Sequence, residues 1–187
     1  MQIEDGKGSG RRAEVDEEFR LTTYSINESL ESHIAATEYN AYVANSNAAS
    51  GTLTVTATGG KFLYLKNLTT SNIRVSGIGV SVDTAGTLMT VVRNDVIGTI
   101  ANADVHTAVN TNFGSGKTAS DEILLYNWDE VDDGMTGLSG GTTIGAVILP
   151  ASFVLIPAPH ILTQNDSITI ELKGACEASV HIRFQFH

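Results

Sequence analysis

From residue 52 onward, short runs of alternating apolar and polar residues follow one another with turn residues between them. None keeps the 3.6-residue period of a helix, and a period of two places successive side chains on opposite faces of a strand. LTVTATG (53–59) alternates, and KFLYLKN (61–67) is a short apolar run bounded by Gly60 and Asn67. In IRVSGIGVSV (73–82), Ile73 and Val75 share one parity with Gly77 and Gly79, while Ile78, Val80 and Val82 fall in the other. That switch predicts a strand with a glycine kink or a bulge. LMTVVRN (88–94), EILLYNW (122–128), IGAVILP (144–150) and FVLIP (153–157) follow, the last two closed by prolines, which cannot continue a central ladder. SITIELK (167–173) alternates, as does SVHIRFQF (179–186), where Val180, Ile182, Phe184 and Phe186 share a face and His181 is expected on the outer one.

These runs make about eight to ten short strands. A parallel sheet needs crossover helices between its strands, and no pattern supplies them. The expected fold is therefore all-β, an antiparallel β-sandwich that is jelly-roll-like, with an extended N-terminal arm. The domains expected are an arm at 1–24 and a β-sandwich at 25–187. No internal repeat suggests a solenoid or propeller. Residues 25–46 are ambiguous: Ile26, Leu30 and Ile34 repeat as on a helix, but Tyr39, Tyr42 and Val43 suit a strand equally. Two long polar connections, 102–120 and 129–143, are expected to make contacts.

The arm is different in kind. Residues 1–20 carry six acidic and four basic residues, three glycines, and only Ile3, Val15 and Phe19 as apolar anchors. So few apolar groups cannot offset the entropy of ordering, which leaves a frayed end or a segment that orders against a neighbour.

Charge excludes several functions. The net charge is −10, and no Lys or Arg occurs between Thr118 and Leu172. Gripping nucleic acid requires a stripe of cations to displace phosphate counterions, and an anionic membrane requires a basic patch. Neither partner is expected. The single cysteine, Cys176, allows no intrachain disulfide and reads as a small residue near a turn. No secretory signal or membrane span is expected, so the N-x-S/T sequons at Asn27, Asn67 and Asn165 carry no glycosylation message.

Each motif that suggests chemistry fails at a named position. GSGKT (114–118) resembles the end of a phosphate-binding loop, but the first glycine should stand at 111, which is Thr111, and a strand rather than a helix is expected next. GSGRRA (8–13) and GSGKTA (114–119) lack the strand and helix of a dinucleotide fingerprint. The acidic run 129–133 places Val131 and Gly140 where a calcium loop needs oxygen ligands. An irregular cation site there stays open. His33, His106, His160, His181 and His187 have no metal-ligand spacing. The expectation is no catalytic residue, no metal and no cofactor, hence no enzyme.

The opening I-E-D-G-x-G-S-G-x-x-A-x-V-D (Ile3 to Asp16), followed by Arg20-Leu21, resembles the start of small virion structural proteins of tailed bacteriophages. The likeness continues at Ala41-Tyr42, at Leu63 to Asn67 and at Asn112 to Thr118. The resemblance implies a virion protein assembled in the host cytoplasm, such as a decoration (cement) protein binding the major capsid protein or other virion proteins, as a homo-oligomer with a trimer favoured. It implies that the arm anchors the protein through Ile3, Asp5, Gly6, Gly8, Gly10, Arg11, Arg12, Val15 and Arg20. The glycines allow close backbone approach, and Arg11, Arg12 and Arg20 can pair with acidic groups. The alternative is a tail, baseplate or fibre-base component contacting host glycans, for which Trp128 is the one candidate platform.

Overall fold

The computed structural model describes residues 3–4, 12–15, 21–22, 41–46, 53–112, 116–119, 121–128 and 134–186. The chain divides into two compact units, Met1–Leu30 and Glu31–His187. In the first, β1 (Ile3–Glu4), β2 (Arg12–Val15) and β3 (Leu21–Thr22) form a small antiparallel sheet. Ile3 lies opposite Ala13 and Val15 opposite Leu21.

The second unit is built from β4 (Ala41–Asn45), β5 (Leu53–Val55), β6 (Gly60–Asn67), β7 (Ile73–Val82), β8 (Thr87–Arg93), β9 (Val96–Ala101), β10 (Ala103–Val105), β11 (Val109–Asn110), β12 (Ile123–Trp128), β13 (Thr136–Ser139), β14 (Thr142–Leu149), β15 (Phe153–Leu162), β16 (Ser167–Lys173) and β17 (Cys176–Phe186). No helix occurs among the described residues, and every strand pair is antiparallel. Strands β4, β6, β7 and β8 pair in turn with β17, β16, β15 and β14, as if one long hairpin had been drawn out and rolled. Alternate pairs then fall into two sheets. One runs β11-β4-β17-β7-β15, with β5 continuing the row of β4; the other runs β10-β12-β6-β16-β8-β14. The eight principal strands form a jelly roll, the more specific of the expected sandwiches.

Alternation places the core between the sheets. Ile168, Ile170 and Leu172 of β16 and Leu63 and Leu65 of β6 bury against Val80, Ile78, Val180 and Ile182 of the facing sheet. Tyr42, Phe184 and Phe186 close one region, with Tyr42 stacked 5.6 Å from Phe184. All four residues expected on one face of the last strand are buried. The parity switch in β7 is a bulge: Ser76 is an extra residue against β17 between Gly77 and Val75, while β15 carries the extra residue opposite the same step.

Three expectations change. Of the ambiguous segment 25–46, Ala41–Asn45 is a strand, because Tyr42 packs on β17; residues 25–40 lie outside the described residues. β15 does not stop at Pro157 but runs through Pro159 to Leu162. It is an edge strand with a bulge between Pro157 and His160, where missing N–H groups break no ladder. The long connections also carry strands: β10 and β11 lie within 102–120, and β13 and the start of β14 within 129–143.

Candidate assembly surface

A sandwich has two lateral walls, where its sheets end. On one, the last strands are β10 and β11, of three and two residues. The chain crosses from sheet to sheet through His106–Ala108, adding one short strand to each. Short edges offer little backbone to an incoming strand.

The opposite wall ends in β14 and β15, of eight and ten residues. Among the described residues nothing pairs with their outer edges. Residues 134–165 contain no Asp, Glu, Lys or Arg, in a chain 17% charged. Among the described residues, five of the eight exposed large hydrophobic residues lie on these two strands: Ile144, Ile148 (72% exposed), Phe153 (57%), Leu155 (48%) and Ile161 (55%). Single exposed apolar side chains are ordinary, but here they form two strips, Ile144 and Ile148 along the edge of one sheet and Phe153, Leu155 and Ile161 along the edge of the other. Covering one such side chain is worth about 1.5–3 kcal/mol.

The outer face beside β15 is levelled by two glycines. The His181 imidazole lies over Gly79, where a Cβ would overlap the ring, and stacks on Phe153 with centroids 5.8 Å apart and planes 13° from parallel. Leu155 similarly overlies Gly77, its Cδ1 3.2 Å from where a Cβ would stand. His181 is thus on the outer face, as expected, but partly covered. Burial, reinforced by Arg183, lowers its pKa and favours the neutral ring. His160 on β15 is lowered by burial and then by Arg93. Flat and largely apolar, with Arg183 at its margin, this surface can exclude water against another protein.

The polar clusters elsewhere are structural. Lys61 donates to both carboxylate oxygens of Asp95 at 2.8 Å and to the Leu138 carbonyl at 3.0 Å, while Gly141 N–H donates to Asp95 at 3.2 Å. This anchor ties one end of the two-stranded β9–β13 sheet, the start of β9 and the end of β13, to β6. Asn67 donates to the Ser71 and Leu162 carbonyls and accepts from Thr69, so the buried end of β6 is fully bonded.

Of the arm residues expected to bind a partner, Ile3, Arg12 and Val15 fall on β1 and β2. Asp5, Gly6, Gly8, Gly10, Arg11 and Arg20 lie outside the described residues, as does the acidic run 129–133. After Gly116–Thr118 the chain enters a turn and then β12, without the helix a phosphate loop needs. Trp128 is buried edge-on against Phe62, at 5.0 Å, and offers no face to a sugar. Cys176 begins β17 with its thiol buried, and burial raises its pKa. No cluster of three or more His, Cys, Asp or Glu is placed to hold a metal among the described residues. No helix long and apolar enough to cross a membrane occurs among them.

Sequence reasoning missed the open wall, although one signal was present: the missing cations of 118–172 overlap a stretch that lacks acids as well. Alternation alone cannot say which strands end a sheet. Compared with protein families, curated proteins and solved structures, the chain matches none.

Proposed function

We propose that this chain is a non-enzymatic structural subunit of a tailed-phage particle, decorating the head shell and held by its arm and by contacts between jelly rolls. The observation that carries the reading is the long, uncharged, apolar wall formed by β14 and β15. Such a surface is a liability for a solitary molecule and an asset for an assembling one. Jelly rolls recur in viral capsid and lectin domains, and a fold alone does not choose between them. The buried Trp128 removes the aromatic platform on which the glycan-contacting alternative depended. The resemblance of Ile3–Asp16 to phage virion proteins supports the choice of particle.

Quantitative mass spectrometry of purified particles encoding this chain tests the reading. A copy number comparable to the major capsid protein is the expected result. A few copies per particle would move the chain to tail or vertex, and its absence would overturn the proposal. Protein lacking residues 1–20 should bind shells more weakly than the full chain.

A further inference from the structure

We propose that β14 pairs antiparallel with β14 of a second copy of this chain, joining two six-stranded sheets across a two-fold axis. The inference rests on the assembly reading above and names the partner at its open wall.

The backbone singles out β14. Edge strands resist strand addition when they are short, carry proline or bear charge. β10 and β11 are short, and β15 contains Pro157 and Pro159 with a bulge between Pro157 and His160. β14 has none of these defences: it is eight residues long, without proline or charge, and its one irregularity lies between Thr143 and Gly145. Beyond it Gly145 to Leu149 pair regularly with β8, presenting a straight run of N–H and C=O groups on the other side.

Charge selects the occupant. A cationic partner would be drawn to acidic residues, and residues 134–165 have none. A second copy carries the same net charge of −10 and is repelled wherever acidic surfaces meet. Apposing the uncharged wall with itself keeps those surfaces apart, and a two-fold contact requires such a self-complementary patch. With Ala146 on the axis, Ile148 of each copy lies opposite Ile144 of the other, the residue β8 leaves unpaired at the irregularity. The two exposed isoleucines share a parity and become cross-strand pairs.

Sedimentation equilibrium of the full chain should give a dimer. Ile148→Lys should weaken it by about thirtyfold or more, the range of a central apolar anchor. The side chain is 72% exposed, so the melting temperature should hold. Val105→Lys, equally exposed on the other wall, should leave the dimer intact. Ala146→Cys should form an interchain disulfide under mild oxidation, since residues paired across an antiparallel ladder are about 4.5–5.5 Å apart at Cα and the native Cys176 is buried. A monomer up to about 100 µM, weaker than specific assembly, overturns the inference. So does an assembly that survives Ile148→Lys or leaves Ala146→Cys unlinked. If the monomer is still found on particles, the virion role stands and only the pairing fails. If a dimer forms but is absent from particles, the pairing stands and the virion role fails.

Discussion

The two lateral walls of this jelly roll end the same two sheets in opposite ways. One is finished by a crossing of the chain, which gives each sheet a strand of two or three residues. The other is left as eight and ten residues of uncharged strand with isoleucine, leucine and phenylalanine exposed. Both walls belong to one sequence under one set of solvent constraints, so the difference is not a limit of the fold. Where the chain closes a wall it spends residues from the β8–β14 connection to do so. The open wall lies at the other end of the same sheets, where no comparable device occurs among the described residues.

The most drastic way to break the contrast is to open the closed wall. Replacing 103–110 with a Gly-Ser linker removes β10 and β11 and bares the edges of β12 and β4. Two open walls permit head-to-tail growth, so scattering should keep rising with time instead of reaching the plateau of a small oligomer. Next in size is Asp95→Ala. The carboxylate is 1% exposed and its loss leaves Lys61, 18% exposed, without its counter-ion. A cost of about 3 kcal/mol in urea unfolding is expected, and β9 amides should exchange faster; unchanged exchange would mean that the β9–β13 sheet is held otherwise.

Gly79→Val attacks the open wall from beneath. The new side chain must evict the His181 ring, costing about 1–3 kcal/mol and ending its stacking on Phe153, which ring-current shifts in proton NMR would report. The smallest effect is that of pH. Folding lowers the pKa of His181, His160 and His106 below the ordinary 6.5, each first through burial. The unfolded chain then binds protons more readily, so their contribution is complete above pH 6.5 and lost as pH falls toward the folded values. The urea midpoint should drop on acidification. His181→Phe should flatten the slope while keeping the stack, because the buried Nε2 makes no hydrogen bond. An identical slope would place the sensitivity at the other two histidines.

Alternation made most of the body legible. β6, β7, β8, β12, β14, β16 and β17 lie where alternating or short apolar runs predicted strands, because each turns apolar side chains toward the core. The β7 bulge was readable from the shift of parity between Val75 and Ile78. β9, whose VIGTIA barely alternates, and the short β10 and β11 left no periodic trace, whereas the alternation of LTVTATG marked β5. β15 was cut short because proline excludes a central strand but tolerates an edge, and edge position is a property of the sheet. The open wall was hidden for the same reason: exposure at Ile148 or Phe153 depends on which strands lack neighbours, which depends on pairing between distant halves of the chain.

That pairing has a consequence for how the molecule comes into being. β4 waits for β17, β6 for β16 and β7 for β15, so the contacts that define the fold join residues synthesised far apart in time. β17 lies between β4 and β7 and also receives β5. Until residues 176–186 emerge, β4 and β5 have no strand to join them to β7, and only β7 and β15 are there to cover the apolar face of the other sheet. Folding dominated by such distant contacts is slow, and the nascent chain displays unpaired strands throughout its synthesis. A ribosome that stalls before Cys176 would therefore release a sticky chain in which one sheet lacks its central strand.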